Sequence, residues 1–302
     1  MGNTAVRRRH AGFAAGLASL AMALGFTAVP ADAAPRPKVD YVAVGDSYTA
    51  GTGAGPFQFS FPCDQTPGGY VDLVGAMGRV TLIANAACHG ALLSHESTVP
   101  HSLDIPSVQE QIQRLTDSLA LSEGTELVSI TAGANDVGVT GVLIACLTQL
   151  PEVCLLQVKE AETRFLELYL NLKEAYVDIQ GSAPEATIAV LGYPRLFDPS
   201  RPFAGVDPAI LRTINAAIDG LNTTIARAVE DSETNAVFID VNRRFAGHEV
   251  NSEEPWIFFS PPTISDGNLV FDDRNFHPTP AGHQAYASAL ISTIKPAQLV
   301  RP

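Results

Sequence analysis

A serine and a histidine far apart in the chain have the side chains that acyl transfer needs. Ser47 ends a Gly-Asp-Ser tripeptide directly after a short apolar run, and His277 lies in a Phe-His-Pro tripeptide near the C-terminus. A serine hydroxyl becomes an effective nucleophile when a neighbouring base accepts its proton. The sequence therefore predicts Ser47 as a nucleophile and His277 as its base, provided that the fold brings them together.

Short apolar runs alternate with amphipathic segments, which predicts an α/β fold. We expect five strands near 40–44, 80–87, 127–131, 187–191 and 237–240, each nearly continuous in apolar residues as in strands buried on both faces. Helices are predicted near 70–77, 107–119, 151–179, 208–229 and 280–294, and long loops at 51–69 and 246–275. This alternation, without a break in composition, predicts one doubly wound domain with a five-stranded parallel sheet.

The first 33 residues have the composition of a secretory signal peptide. Three arginines at 7–9 precede an apolar stretch that ends near Val29, and a small-residue exit follows at Ala33 or Ala34. A membrane anchor is the alternative, but the apolar run is short and contains Gly and Pro. We predict a signal at 1–33, a single domain at 34–302, a secreted product and no transmembrane anchor after the signal is removed.

The charge of the chain argues against some partners. The chain has 19 basic and 32 acidic side chains and a net charge of −13. An acidic surface repels nucleic acid and anionic lipid headgroups. We therefore predict no nucleic-acid partner, and the sequence leaves the oligomeric state open.

Four cysteines in an exported chain predict two disulfides. Three pairings are open to the sequence, and local loop closure favours Cys146–Cys154, which leaves Cys63–Cys88. A zinc site is the competing interpretation, but the chain has no Cys-x-x-Cys pair. We therefore predict no metal and no cofactor.

Four blocks of the sequence resemble those of the GDSL or SGNH serine hydrolases. In order, the blocks are Gly45-Asp46-Ser47-Tyr48, Asn85–Ala91, Gly133-Ala134-Asn135-Asp136 and His277–His283. One block alone is weak evidence, whereas four in this order are specific. The resemblance, closest to a secreted, disulfide-containing lipase and esterase branch, implies a flavodoxin-like three-layer α/β/α sandwich and ester hydrolysis. In the first block, Tyr48 stands where the nominal motif has Leu.

The resemblance also implies an oxyanion hole. Its donors would be the backbone N–H groups of Ser47 and Gly90 and the side-chain amide of Asn135. Each residue alone has a commoner role: Ser47 could cap a helix, Gly90 could form a turn, and Asn135 could be a helix cap. Asp46 is expected to be structural, accepting backbone N–H bonds that shape the turn at the nucleophile.

The chain departs from the family pattern beside the histidine. Position 274, three residues before His277, is Arg where the family usually has Asp. Because some secreted members use a main-chain carbonyl there, we expect the Arg274 carbonyl to accept the Nδ1–H of His277. The carboxylates of Asp272 and Asp273 are the alternative orienting groups.

Two aromatic groups indicate a substrate with an apolar part. They comprise Phe57, Phe59 and Phe61 in one predicted loop and Trp256, Phe258 and Phe259 in another. They either flank the cleft and bind an acyl chain or pack within their loops.

The sequence thus predicts a carboxylic ester hydrolase that acts on small-molecule or lipid esters through an acyl-serine intermediate. A phospholipase, a carbohydrate O-deacetylase or an acyltransferase would use the same residues. A non-catalytic binding protein of the cell envelope is the alternative from a different class.

Overall fold

Five apolar strands form a parallel sheet in the computed structural model, which describes residues 38–299; the predicted signal at 1–33 lies outside them. The strands are β1 (Val39–Gly45), β2 (Val80–Asn85), β3 (Leu127–Thr131), β4 (Thr187–Leu191) and β5 (Ala236–Ile239). Their order in the sheet is β2-β1-β3-β4-β5, and all pairs are parallel. The predicted parallel sheet is therefore confirmed. The chain direction along the sheet reverses between β1 and β3, where doubly wound folds bind ligands.

Helices cover both faces of this sheet. They are α1 (Tyr70–Gly75), α2 (Val108–Asp117), α3 (Val139–Thr148), α4 (Pro151–Thr163), α5 (Phe165–Ser182), α6 (Pro208–Asp231), α7 (Asn242–Phe245) and α8 (Pro280–Ile294), followed by a 3-10 turn at Pro296–Gln298. Helices α1, α7 and α8 form one layer, and α2, α5 and α6 form the other, with α3 and α4 packed beside α6. The three-layer α/β/α architecture is confirmed. In the described part of the chain, no helix is both long and apolar enough for a bilayer span.

Three predicted elements need correction. The helix predicted at 151–179 is two helices, α4 and α5, which are separated at Arg164. Helix α3 was not predicted, because it begins at the left-handed Gly138 without a capping side chain. The loop predicted at 246–275 contains a small antiparallel hairpin, formed by β6 (Thr263–Ser265) and β7 (Asn268–Val270).

The two disulfides join segments that surround the carboxyl ends of the strands. Cys146–Cys154 links α3 to α4, and Cys63–Cys88 links the loop after β1 to the loop after β2. These are the two pairs favoured by the sequence. The disulfides therefore fix the segments that follow β1, β2 and β3 relative to their neighbours.

A buried glutamine ties α2 to the end of β1. Gln111 accepts the backbone N–H of Gly45 at 2.8 Å and donates from Nε2 to the Gly45 carbonyl at 3.0 Å. The Gly45 carbonyl also accepts from Cys88, whereas its N–H relies on Gln111. Gln111 therefore satisfies a buried backbone donor two residues before Ser47.

We expect Gln111→Leu to lower the free energy of unfolding by about 2 kcal/mol, because it leaves the Gly45 N–H buried without an acceptor. Denaturant unfolding of this variant and of Gln113→Leu would measure the effect. Gln113 is exposed on the same helix, and its side chain bonds only to Asp117 among the described residues. Equal losses of stability in the two variants would contradict the role assigned to Gln111.

Candidate active site

Ser47 lies at the carboxyl edge of the sheet, in the turn that follows β1. The turn begins with a hydrogen bond from the Asp46 N–H to the Thr131 carbonyl at the end of β3. Asp46 then accepts three hydrogen bonds: from the Thr131 hydroxyl, from the Tyr48 backbone N–H and from the Tyr193 hydroxyl. Burial raises the pKa of Asp46 to about 6, and these hydrogen bonds oppose that rise. Asp46 thus has the structural role expected for it.

The fold brings Ser47 and His277 into hydrogen-bond contact. The Ser47 Oγ lies 2.7 Å from the His277 Nε2. On the other side of the ring, Nδ1 lies 3.0 Å from the Asn275 carbonyl oxygen. A carbonyl can only accept, so Nδ1 carries the proton in the neutral ring and Nε2 is left as the acceptor for the Ser47 hydroxyl. This tautomer is the one that a general base needs.

The expectation that the Arg274 carbonyl orients His277 needs correction. The carbonyl within hydrogen-bond distance of Nδ1 belongs to Asn275, whereas the Arg274 carbonyl accepts the backbone N–H of His277 at 3.0 Å. Both carbonyls raise the pKa of the ring, and Asn275 does so more strongly. The shift by one residue follows from the turn, because Phe276 has a left-handed backbone with φ of 65°.

Neither alternative carboxylate bonds to the imidazole. Asp272 forms a two-point ion pair with the Arg274 guanidinium, with hydrogen bonds of 2.9 and 2.6 Å. The Arg274 side chain correspondingly lowers the pKa of Asp272. Asp273 lines the adjacent cavity; burial lowers the pKa of His89, and the charge of Asp273 opposes that fall. The group that bonds to Nδ1 in the structure is therefore a neutral carbonyl, that of Asn275.

The environment of His277 favours the neutral ring. Burial, and to a smaller extent the neighbouring rings of His89 and His283, lower its pKa to about 3 against the two backbone carbonyls, which raise it. The His89 and His277 ring centroids are 5.4 Å apart. His277 is thus unprotonated at neutral pH and able to accept a proton.

The predicted oxyanion donors lie on loops that bond to each other. Asn135 donates from Nδ2 to the Ala91 carbonyl at 2.9 Å, and the Asp136 carboxylate accepts the Leu93 N–H at 2.9 Å. The second N–H of the Asn135 amide remains available. Gly90 has φ of 78°, a left-handed conformation that glycine adopts without strain. Both loops line the cavity that contains Ser47 and His277.

His283 does not share the site with His277. It is fully buried in the first turn of α8, with Nε2 3.0 Å from the Thr52 carbonyl and Nδ1 accepting the Tyr70 N–H at 3.3 Å. Both ring nitrogens are therefore engaged by backbone groups.

A largely apolar cavity of about 240 Å³ opens beside Ser47. One wall comes from α3, which contributes Val139, Leu143, Ile144 and Leu147. The remaining lining includes Leu196, Ile218, Phe259 and Phe276. Helix α3 is apolar along most of its length, and its disulfide to α4 holds it beside the cavity. The arrangement can accommodate an aliphatic chain next to the predicted nucleophile.

Only one of the six aromatic residues singled out from the sequence lines this cavity. Phe259 does so, whereas Phe59 and Phe61 are 85% and 79% exposed. The Trp256 ring stacks on the His248 ring with their centroids 3.6 Å apart, and the Phe258 ring lies under the Arg274 guanidinium. The apolar wall that the sequence analysis missed is α3, and its signal was the near absence of polar residues in 139–147.

Comparison with known proteins identifies the family of this chain. Residues 43–285 match the model of the GDSL-like lipase/acylhydrolase family. The chain belongs to this family. It is 34% identical over 279 residues to a lipase of Streptomyces rimosus, covering 91% of this chain and 94% of that protein. Lipase 1 of Streptomyces coelicolor is 33% identical over 284 residues, which again cover 91% of this chain and 94% of that protein.

Solved structures agree with this assignment. An extracellular lipase of Streptomyces rimosus superposes with a TM-score of 0.69 at 31% identity, over 84% of this chain and 99% of that chain. Phospholipase A1 of Streptomyces albidoflavus superposes with a TM-score of 0.68 at 30% identity, over 83% of this chain and 98% of that chain. This GDSL-like acylhydrolase is a carboxylic ester hydrolase, as the sequence predicted.

Tyr48, the departure from the nominal motif of this family, bonds to the histidine loop. Its hydroxyl donates to the Phe276 carbonyl at 2.6 Å, and its ring centroid lies 5.3 Å from that of His277. Tyr48 also packs edge-on against Tyr193, which bonds to Asp46. Tyr48 therefore connects the turn at Ser47 to the strained turn before His277, which makes it a positioning residue for the imidazole.

We expect kcat/KM to keep its plateau well below pH 6.5. His277 must be neutral to accept a proton, and its pKa of about 3 lies below the ordinary histidine value. Folded stability falls as pH drops from about 6.5 through the folded pKa values, because unfolding allows His277 and His283, whose pKa is about 4, to bind protons. Initial rates between pH 4 and 8, with circular dichroism to identify the folded range, would measure this. An acid limb centred at or above pH 6.5 would contradict it.

We expect Tyr48→Phe to lower kcat about tenfold with little change in KM, because a misplaced base slows proton transfer without weakening substrate binding. Steady-state kinetics on a soluble ester would measure the split. Tyr41→Phe is the control, since it also removes a buried hydroxyl, one that bonds to Ser129 within the sheet. The role of Tyr48 is wrong if Tyr48→Phe keeps its kcat or loses no more activity than Tyr41→Phe.

Proposed function

We propose that this protein is an exported serine esterase with lipase-type acyl specificity, in which Ser47 is the nucleophile, His277 the general base, and Ser47, Gly90 and Asn135 the oxyanion donors. The observation that carries the proposal is the 2.7 Å contact between the Ser47 Oγ and the His277 Nε2. The apolar cavity beside this contact supports an acyl chain as the group transferred.

The reaction follows acyl-transfer chemistry. The His277 Nε2 takes the Ser47 proton while Oγ attacks the ester carbonyl, and the imidazolium then gives that proton to the departing alcohol. Water, deprotonated by the same nitrogen, attacks the acyl-serine; the bond between the acyl carbon and Oγ breaks, the imidazolium returns its proton to Oγ, and the carboxylic acid is released. The Asn275 carbonyl holds the Nδ1–H throughout. Because this acceptor is neutral, it stabilises the imidazolium less than a carboxylate would, and moderate turnover is expected.

The oxyanion donors are assigned from two features: they line the cavity at Ser47, and each has an N–H group available for a ligand. In the part of the chain that the structure describes, the backbone N–H groups of Ser47 and Gly90 have no acceptor. Each donor that meets the developing oxyanion contributes about 10²–10³ to the rate in enzymes of this kind. The hydrogen bonds between the Gly90 and Asn135 loops would hold the donors in place before substrate binds.

Export is part of the proposal. The signal-like composition of 1–33 and the two disulfides favour an oxidising compartment. A structurally similar relative is an extracellular lipase. The mature enzyme would comprise residues 34–302.

A phospholipid acyl ester is the second candidate substrate, favoured by the similarity to phospholipase A1. It would use the same apolar cavity for the acyl chain and differ only in the alcohol released.

We expect activity on p-nitrophenyl esters to rise from acetyl to medium-length acyl chains, because each methylene that enters the apolar cavity contributes about 0.8 kcal/mol. Ser47→Ala should lower kcat by about four orders of magnitude or more. Ile144→Trp should shorten the preferred chain, with a loss of about tenfold on octanoyl esters and little change on acetyl esters. A panel of esters from acetyl to palmitoyl would measure all three effects.

Leu155→Trp is the matched control for the chain-length variant, because Leu155 is half-exposed on α4 and does not line the cavity. Retained hydrolysis in Ser47→Ala would contradict the proposed nucleophile. A chain-length profile that Ile144→Trp leaves unchanged would contradict the acyl site while leaving the nucleophile untouched.

A further inference from the structure

A second histidine, His89, lines the cavity at Ser47 but takes no part in the proton transfers assigned to His277. Its ring is half-buried, and the ring centroid lies 5.4 Å from that of His277. The next residue in the chain is Gly90, one of the proposed oxyanion donors. An imidazole without an assigned role therefore adjoins both the base and an oxyanion donor.

His89 is held in place through both its backbone and its ring. Its N–H donates to the Cys63 carbonyl at 2.9 Å, and the preceding residue, Cys88, forms the disulfide to Cys63. On the ring, Nδ1 lies 3.0 Å from the Thr52 Oγ1. Thr52 is fully buried, and its backbone N–H donates to the Ser47 carbonyl at 3.0 Å. The imidazole is thus anchored to the turn that carries the predicted nucleophile.

The contact with Thr52 assigns the proton of the neutral His89 ring. Among the described residues, Nδ1 is the only hydrogen-bond partner of the buried Thr52 hydroxyl. Because a buried hydroxyl without an acceptor is costly, the hydroxyl donates to Nδ1, and Nε2 carries the ring proton. No residue in the described part of the chain bonds to Nε2, and it is not one of the unpartnered polar atoms that burial closes off. Its N–H is therefore available to a ligand in the cavity.

The leaving oxygen of an ester has to come close to this N–H. It lies within hydrogen-bond distance of the His277 Nε2, because that atom returns the proton to it. Two nitrogens that each bond to one oxygen at about 2.8 Å are roughly 4–5.5 Å apart. The two imidazole rings, with centroids 5.4 Å apart and planes inclined at 41°, are compatible with one shared oxygen. A second donor there would stabilise the negative charge that develops on the oxygen.

We propose that the His89 Nε2–H donates a hydrogen bond to the leaving alcohol oxygen, and that His89 thereby adapts the site to esters of weakly acidic, aliphatic alcohols. The bond between the acyl carbon and that oxygen breaks, its electron pair stays on the oxygen, and the His277 imidazolium supplies the proton. His89 keeps its own proton. In deacylation, the attacking water takes the place of the alcohol oxygen and meets the same N–H. This inference rests on the proposed function, because it deepens the step assigned to Ser47 and His277.

The test measures kcat/KM, which reports acylation, on butyrate esters whose alcohols differ in acidity: p-nitrophenyl, phenyl, trifluoroethyl and ethyl butyrate. We expect His89→Phe and His89→Ala to lose about tenfold or more on ethyl butyrate and less than about threefold on p-nitrophenyl butyrate, because nitrophenolate leaves without much stabilisation. His89→Gln keeps a side-chain N–H and should recover part of the loss on ethyl butyrate. Turnover of p-nitrophenyl butyrate also shows that each variant is folded.

His248→Phe is the matched control, because His248 stacks on Trp256 and does not line the cavity. It should match the wild-type enzyme on every ester. The proposal is overturned if the His89 variants lose activity equally on all the esters, if they lose none, or if His89→Gln is no better than His89→Ala on ethyl butyrate. Failure of the proposed function would differ, since the wild-type enzyme would then cleave none of these esters or Ser47→Ala would still cleave them.

Discussion

The proposed chemistry depends on one contact that spans 230 positions, the hydrogen bond between Ser47 and His277. The sheet brings the carboxyl ends of β1 and β3 side by side, and Asp46 fixes the turn at Ser47 through Thr131 and Tyr193. The loop from Trp256 to Thr279 brings the histidine to it through backbone bonds between Phe258 and both Phe276 and His277. Each end is held by its own hydrogen bonds to other elements, so the contact is a property of the whole fold.

A neutral partner for the imidazole is the second constraint. A carboxylate would stabilise the charged ring strongly, whereas the Asn275 carbonyl fixes its tautomer and raises its pKa by less than burial lowers it. Three groups define the turn that presents this carbonyl: the left-handed Phe276, the Tyr48 hydroxyl and the Asp272–Arg274 ion pair. In this interpretation, the acidic residues beside the histidine shape the backbone, and the backbone orients the base.

Much of this could be predicted from the sequence, and the failures have physical causes. Buried parallel strands are continuous apolar runs, so the sheet was recognisable, and four motif blocks marked the loops at its edge. The break at Arg164 was not visible, because helical periodicity continues across it and neither Pro nor Gly marks it. The one-residue error at the orienting carbonyl arose because a left-handed backbone at a phenylalanine has no sequence signature. The sequence analysis looked for the apolar lining of the cavity in two aromatic loops, whereas helix α3 supplies one of its walls.

The central claim is that Ser47, His277 and the two loops around Gly90 and Asn135 form one acyl-transfer site. The most direct measurement is a crystal structure of the enzyme after reaction with an alkyl fluorophosphonate. The account predicts phosphorus bonded to the Ser47 Oγ, the alkyl chain against α3, and the phosphoryl oxygen about 3 Å from the Ser47 N, Gly90 N and Asn135 Nδ2 atoms. An unmodified Ser47 in a folded protein, or a phosphoryl oxygen directed away from those donors, would contradict it.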